Sequence, residues 1–214
     1  MPSKIRLRYL FKSRFLVKSI AKLFHKMGLK PNSVTYLMVL FSIIGFFIIL
    51  CTSNVMIFGI FVFLSLIMDG ADGALARMTE QVTSAGGFLD SVFDRISEVI
   101  IIISLAFGSL HLWIFPLVVV RIIYFVMLLF SVMISYVRSR ASTRNTKEMD
   151  IGLFARSERL FTVFILCLIP IPIIFSVGMT LLTIGIIGTA GYRFSKYGKM
   201  LQKNEKLGKM DKNR

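Results

Sequence analysis

The stretch Met68–Glu98, which reads MDGADGALARMTEQVTSAGGFLDSVFDRISE, places four aspartates where two strongly apolar runs meet. The aspartates are Asp69, Asp72, Asp90 and Asp94. Their spacings of three and four residues put each pair on one face of a helix. A carboxylate inside a membrane helix is costly, so each one needs a partner or a function. Two carboxylate pairs at the same depth on neighbouring antiparallel helices predict an all-oxygen site for hard divalent cations.

Apolar runs continue along the whole chain on both sides of this stretch. Of the 214 residues, 56% are hydrophobic, and runs of nearly membrane-spanning length recur. This pattern is typical of a polytopic helical membrane protein and excludes an ordinary soluble domain. The sequence therefore predicts an all-α fold with six transmembrane helices. The predicted spans are about 33–52, 55–79, 88–108, 111–139, Arg156 to about Pro170, and 176–199.

The N-terminal segment is basic and amphipathic. Between residues 4 and 27, basic side chains alternate with Leu, Phe and Ile at helical period, which predicts a helix lying on the membrane surface. Gly28 and Pro31 separate it from the first span. The predicted organisation is an N-terminal juxtamembrane amphipathic helix over 1–30, a six-helix membrane domain over 31–200, and a basic cytoplasmic tail over 201–214.

Positive charge is concentrated in three segments of a chain whose net charge is +15. Nine Lys or Arg residues lie between Lys4 and Lys30, six between Arg138 and Arg159, and eight between Arg193 and Arg214. The positive-inside rule then predicts a multi-pass cell-membrane protein whose two termini and active site face the cytoplasm. Because the basic residues flank spans, we expect them to contact anionic membrane lipids and not nucleic acid.

Small and cationic residues lie at fixed distances from the aspartates. Gly73 and Ala76 leave room for a ligand to approach the backbone, and Gly86 permits a close turn between the two helices. Arg77 is a permanent cation suited to a phosphate oxygen. From Asp69 to Asp94 the complete pattern is D-x2-D-G-x2-A-R-x8-G-x3-D-x3-D.

This pattern resembles the signature of the CDP-alcohol phosphotransferase family, and all eight of its fixed positions match. The segment KPNSVT at residues 30–35 is similar to the P-N-x-x-T segment that opens the first span in this family. Six spans with cytoplasmic termini match as well, so the resemblance covers most of the chain. It implies an integral membrane enzyme of phospholipid biosynthesis that moves a phosphatidyl-type group from a CDP-lipid to an alcohol and releases CMP.

The resemblance also implies roles for the residues of the pattern. Two divalent ions, Mg²⁺ or Mn²⁺, would be held by the carboxylates. Asp69, Asp72 and Asp90 would ligate the first ion, and Asp72, Asp90 and Asp94 would be shared with or face the second. Asp94 is the implied general base that takes the proton from the acceptor hydroxyl. The implied nucleotide-binding residues are Asn32, Thr35, Asp69, Gly73, Ala76, Arg77 and Gly86.

Arginines further along the chain bear on the acceptor alcohol. SYVRSRAS at 135–142 and GLFARSER at 152–159 resemble the S-Y-x-[KR]-A-R-A-E and G-x-x-x-R-A-E-R patterns of the phosphatidylinositol phosphate and archaetidylinositol phosphate synthases, although Ser139 and Ser142 depart from them. Fixed cations are needed to draw a phosphorylated acceptor into a carboxylate-lined site. The positions implied to bind the acceptor phosphate of inositol phosphate are Arg138, Arg159 and Arg193.

Several alternatives stay open from the sequence. The arginines are also explained as ordinary charges flanking spans, and glycerol 3-phosphate is a second phosphorylated acceptor. A divalent-cation transporter with the aspartates as its permeation site is a different class of function, as is a non-catalytic scaffold. A transporter, however, has no need for the fixed small residues and arginine of the pattern. The lipid is either diacylglycerol-based or archaeol-based, and a homodimer is implied by the resemblance alone.

Two charged residues have no settled role at this point. Glu98 lies one turn beyond Asp94 and is either an acid supporting the site or a packing partner for Arg95 or for a basic tail residue. Arg121 is the only basic residue well inside a predicted span, and we assign it no function.

Overall fold

The computed structural model describes residues 16–108, 112–142, 154–169 and 171–212. Within these ranges the chain is helical and contains no strand, so the predicted all-α fold class is confirmed. The helices are α1 (Leu16–Lys26), α2 (Pro31–Thr52), α3 (Val55–Met78), α4 (Ser84–Gly108), α5 (Leu117–Ser142), α6 (Arg156–Cys167) and α7 (Pro172–Lys212).

Four of the described helices are long and apolar enough to cross a membrane. They comprise residues 31–52, 55–78, 117–140 and 172–202. The other two predicted spans do not meet that description, for different reasons. Helix α4 has 25 residues, but every 18-residue window of it includes Asp94, Arg95 and Glu98. Helix α6 has only 12 residues.

Helix α2 packs against both α3 and α4, α6 packs against α3, and α5 and α7 pack against each other. Small residues make these approaches close. A Cβ added to Gly59 on α3 would lie 2.6 Å from the Cβ of Cys167 on α6, so no larger residue fits there without a shift. The hydroxyls of Ser42 and Ser65 lie 3.0 Å apart and satisfy each other between α2 and α3. Close packing and internal hydrogen bonds therefore hold these apolar helices together.

Helix α1 lies against α3, the helix that carries Asp69 and Asp72. Its Ala21 is fully buried, and a Cβ added to Gly70 of α3 would lie 3.3 Å from Val17. The structure thus describes the second half of the predicted amphipathic segment as a helix, and residues 4–15 lie outside the described residues.

The fourth predicted span begins later than the sequence indicated. Helix α5 starts at Leu117 and not at residue 111, because Pro116 has no backbone N–H and is tolerated best at a helix start. Trp113, which precedes this helix, is buried with 8% exposure. Its Nε1 donates a hydrogen bond of 3.1 Å to the hydroxyl of Tyr124. Arg121 on α5 is exposed, and its guanidinium carbon lies 5.8 Å from the ring centre of Phe107.

Candidate active site

Three of the four aspartates converge where the end of α3 meets the beginning of α4. Carboxylate oxygens of Asp69, Asp90 and Asp94 all lie within 4.8 Å of one another. The Oδ1 atom of Asp90 is buried and has no hydrogen-bond partner among the described residues. Clustered carboxylate oxygens, one of them unsatisfied, are the ligands that hard divalent cations prefer. The residues therefore fit a divalent metal site, and we refer to these three as the aspartate cluster.

Asp72 lies beside the aspartate cluster and not within it. It is 5% exposed, and its Oδ2 accepts a hydrogen bond of 2.8 Å from the hydroxyl of Thr35. Its Oδ1 accepts a hydrogen bond of 2.5 Å from the backbone N–H of Gly73. Thr35, which the family resemblance places near the nucleotide phosphates, thus contacts a carboxylate here. Asp72 links α2 to α3 at the edge of the cluster.

The other residues predicted to bind the nucleotide form two contacts near the aspartates. A Cβ added to Gly73 would lie 3.4 Å from Nη1 of Arg77, so the guanidinium folds back over that glycine. A Cβ added to Gly86 would lie 3.5 Å from Oδ1 of Asn32. Ala76, one position before Arg77, is half-buried. At both positions, glycine places no side chain between these polar groups and its own backbone.

Arg156 is the main site residue that the sequence reasoning missed. Its Nη1 donates to Oδ1 of Asp69 at 2.7 Å and to Oδ1 of Asp94 at 2.5 Å. Its Nη2 donates to the hydroxyl of Ser97 at 2.7 Å. The partners are 87, 62 and 59 residues away along the chain, so no local spacing indicated them. The one available signal was the position of Arg156 inside the segment GLFARSER.

The three arginines predicted to bind an acceptor phosphate come from different helices and meet at one cavity. Arg138 of α5, Arg159 of α6 and Arg193 of α7 line a cavity of about 70 Å³ together with Asp94. Arg159 is 1% exposed and Arg193 is 2% exposed. We call this space the arginine cavity; its full lining is Asp94, Arg95, Ile134, Ser135, Arg138, Ala155, Arg156, Arg159 and Arg193.

Five arginines against one aspartate give the arginine cavity a lining suited to an anion. Burying guanidinium groups is costly, and a bound dianion offsets that cost through charge-assisted hydrogen bonds. Asp94 belongs to both the aspartate cluster and the cavity lining. A hydroxyl group on an anion held in the cavity would therefore lie beside a carboxylate able to accept its proton.

Glu98 forms a buried ion pair with Arg159, one of the arginines that line the cavity. Its Oε1 lies 2.6 Å from Nη2 and 2.8 Å from Nε of Arg159. Nη1 of the same arginine donates to the carbonyl of Phe154 at 2.9 Å. Arg95, which the sequence offered as a possible packing partner for Glu98, instead donates from Nη1 to the carbonyl of Ser91 in its own helix. Glu98 is a buried counter-ion that orients one cavity arginine.

Comparisons with a protein-family model and with individual relatives identify the same family. Residues 29–191 match the family described as CDP-alcohol phosphatidyltransferase. The archaetidylinositol phosphate synthase of Pyrococcus horikoshii is 36% identical over 155 residues, which cover 70% of this chain and 74% of the relative. The phosphatidylinositol phosphate synthase of Mycobacterium tuberculosis is 29% identical over 197 residues, covering 88% and 89% of the two chains.

Solved structures of the Mycobacterium tuberculosis phosphatidylinositol phosphate synthase share the fold. The structure with CDP-DAG bound aligns with a TM-score of 0.71 and 27% identity, covering 85% of this chain and 92% of that one. The structure in complex with manganese and citrate aligns with a TM-score of 0.74 and 28% identity, covering 85% and 88%. The likeness therefore extends over most of the helical bundle.

Proposed function

Because the chain belongs to the CDP-alcohol phosphatidyltransferase family, we propose that it moves a phosphatidyl-type group from a CDP-lipid to inositol phosphate and releases CMP. The arginine cavity beside Asp94 is the observation that supports a phosphorylated acceptor. A phosphate monoester would form charge-assisted hydrogen bonds with Arg138, Arg159 and Arg193, whereas a neutral alcohol would not. The names of the archaeal and mycobacterial relatives support the same acceptor.

In the proposed reaction, Asp94 takes the proton from the acceptor hydroxyl. The hydroxyl oxygen forms a bond to the phosphorus next to the lipid, and the bond from that phosphorus to CMP breaks. Two divalent ions, Mg²⁺ or Mn²⁺, held by Asp69, Asp90 and Asp94 with Asp72 beside them, would polarise the phosphoryl group and stabilise the leaving CMP. Arg138, Arg159 and Arg193 would hold the acceptor by its phosphate.

The nucleotide is proposed to lie on the other side of the aspartate cluster from the arginine cavity. Arg77 over Gly73, and Asn32 beside Gly86, mark two places where phosphate and cytidine can approach backbone closely. Ala76, half-buried, extends this small-residue surface. Thr35 would act through Asp72, whose carboxylate it orients, and not through direct contact with a phosphate.

We propose that α2 to α7 form six spans and that α1 lies on the cytoplasmic surface. Ile101 and Leu105 of α4 and Val163 of α6 are buried in the same core cluster as Tyr124 and Phe175 of the longer helices. Helices α4 and α6 thus each pack one face into the bundle, and their charged residues Glu98, Glu158 and Arg159 are buried there and do not face lipid. The positive-inside rule places the site and both termini in the cytoplasm. A homodimer is part of the proposal and rests on the family resemblance.

A second candidate acceptor is glycerol 3-phosphate, because it also carries a phosphate that the cavity arginines would bind. A divalent-cation transporter is not favoured, since family membership makes the chain a transferase. Inositol phosphate and glycerol 3-phosphate differ in the alcohol that carries the phosphate. Among the described residues, we assign none to the alcohol in the way that the cavity arginines are assigned to the phosphate.

The purified protein with CDP-lipid and Mg²⁺ or Mn²⁺ is expected to release CMP fastest when inositol 1-phosphate is added. Rates with glycerol 3-phosphate, serine and free inositol, measured at equal concentrations, complete the comparison. Faster release with glycerol 3-phosphate would replace the proposed acceptor by the second candidate. Release with free inositol alone would contradict the phosphate-binding role of the arginine cavity.

A further inference from the structure

Arg156 belongs to two parts of the site at once. It lines the arginine cavity, yet its Nη1 donates to Asp69 and Asp94 of the aspartate cluster. Its side chain is 14% exposed, and the two aspartate side chains are 22% exposed. The guanidinium is further held by the hydroxyl of Ser97 and approaches the sulfur of Met38 at 3.5 Å.

These ion pairs use Oδ1 of Asp69 and Oδ1 of Asp94, which are oxygens that a divalent cation could also bind. Carboxylates bind Mg²⁺ or Mn²⁺ through oxygens about 2.0–2.2 Å from the ion, which leaves no space for an arginine nitrogen on the same lone pairs. The guanidinium and the cation also repel each other at such short range. Nη1 of Arg156 and a divalent ion therefore compete for Oδ1 of Asp69 and Oδ1 of Asp94.

We infer that Arg156 and divalent cations compete for Asp69 and Asp94, and that cation binding turns the Arg156 guanidinium away from these aspartates and toward the arginine cavity, which the residue already lines, to complete the phosphate site. The displaced side chain needs no movement of α6, because Ala155, Arg156 and Arg159 already line the cavity. The helix start stays fixed by the Arg159–Glu98 ion pair and by a hydrogen bond of 2.7 Å from the backbone N–H of Ala155 to Glu158.

Two consequences follow for binding. Metal affinity is lowered by the work of displacing an internal cation, and acceptor affinity is raised once that cation faces the cavity. Because coupling between two sites is reciprocal, a phosphorylated acceptor tightens metal binding by the same factor. The second consequence rests on the proposed function, whereas the competition for the aspartates does not.

Mn²⁺ titration of the full-length protein, stripped with a chelator and followed by the electron paramagnetic resonance signal of free Mn²⁺, tests the competition. Arg156→Ala is expected to lower the Kd for Mn²⁺ by about tenfold, a usual size for coupling between sites. Arg156→Gln, which keeps a polar group near Ser97, is expected to act in the same direction. An Mn²⁺ affinity equal to or weaker than the wild type in both folded variants overturns the inference.

Arg95→Ala is the matched control for general loss of positive charge. Arg95 also lines the arginine cavity but bonds to the carbonyl of Ser91, so its removal leaves the Arg156 ion pairs intact. The decrease in Kd for Mn²⁺ is expected to be clearly smaller than for Arg156→Ala. An equal decrease would show that net charge, and not competition for two carboxylates, sets the metal affinity.

Repeating the titrations with inositol 1-phosphate present tests the movement into the cavity. In the wild type the acceptor is expected to lower the Kd for Mn²⁺, and in Arg156→Ala most of this effect is expected to be lost. Coupling that persists unchanged in Arg156→Ala overturns the movement. If inositol 1-phosphate does not bind the wild type at all, the proposed acceptor fails, while tighter Mn²⁺ binding by Arg156→Ala still supports the competition.

Discussion

Replacing Asp94 by Asn is expected to lower kcat for CMP release by about 10²- to 10⁴-fold, the usual contribution of a general base. The amide keeps the shape of the side chain but cannot take the proton from the acceptor hydroxyl. It also removes one negative charge from the aspartate cluster that Asp94 forms with Asp69 and Asp90. Initial rates at saturating CDP-lipid and inositol 1-phosphate, over a range of Mg²⁺ concentrations, measure the effect.

The control for this change is Glu80→Gln, which neutralises an exposed carboxylate in the link between α3 and α4. This variant is expected to keep a kcat close to that of the wild type, because Glu80 is not part of the site. A high Mg²⁺ concentration separates the two roles of Asp94, since it restores metal occupancy but not proton transfer. A kcat for Asp94→Asn within about tenfold of the wild type would contradict its assignment as the base.

Replacing Glu98 by Ala is expected to lower the free energy of unfolding by about 3–5 kcal/mol, the usual cost of leaving one partner of a buried ion pair without the other. The change would leave the guanidinium of Arg159, 1% exposed, with only the carbonyl of Phe154 as a named partner. Thermal unfolding of the detergent-solubilised protein measures the loss as a lower Tm. Glu98→Gln, which keeps a hydrogen-bond acceptor, is expected to cost less.

The double variant Glu98→Leu with Arg159→Met separates stability from acceptor binding. Replacing a whole buried ion pair by apolar residues of similar size is often neutral for stability, so the Tm is expected to recover. The KM for inositol 1-phosphate is expected to be higher than in the wild type, because the arginine cavity has lost one of its cations. Recovery of both quantities would show that Arg159 is only structural.

The aspartate pattern allowed most of this site to be located from the sequence. Spacings within one helix are set by helical geometry, so Asp90 and Asp94 on α4 could be placed on one face. The downstream arginines could be placed on the cytoplasmic side by charge, and the structure brings Arg138, Arg159 and Arg193 to one cavity. Their roles in binding remain predictions.

What the sequence did not reveal depends on contacts between distant segments. Arg156 reaches Asp69 across 87 residues, and only the packing of α6 against α3 creates that ion pair. Asp72 carries the same chemical group as its neighbours, yet its Oδ2 accepts a hydrogen bond from Thr35 on another helix. The burial of Trp113 against Tyr124 likewise depends on tertiary packing and not on a local pattern.

The nature of the acceptor is tested most directly by the lipid product itself. Phosphorus-31 NMR of the purified product, formed from CDP-lipid and inositol 1-phosphate, distinguishes a phosphodiester from a phosphomonoester. The proposed function predicts one signal of each kind in equal amounts, because the acceptor enters with its own phosphate and keeps it. A product with a single phosphodiester and no monoester would contradict the account.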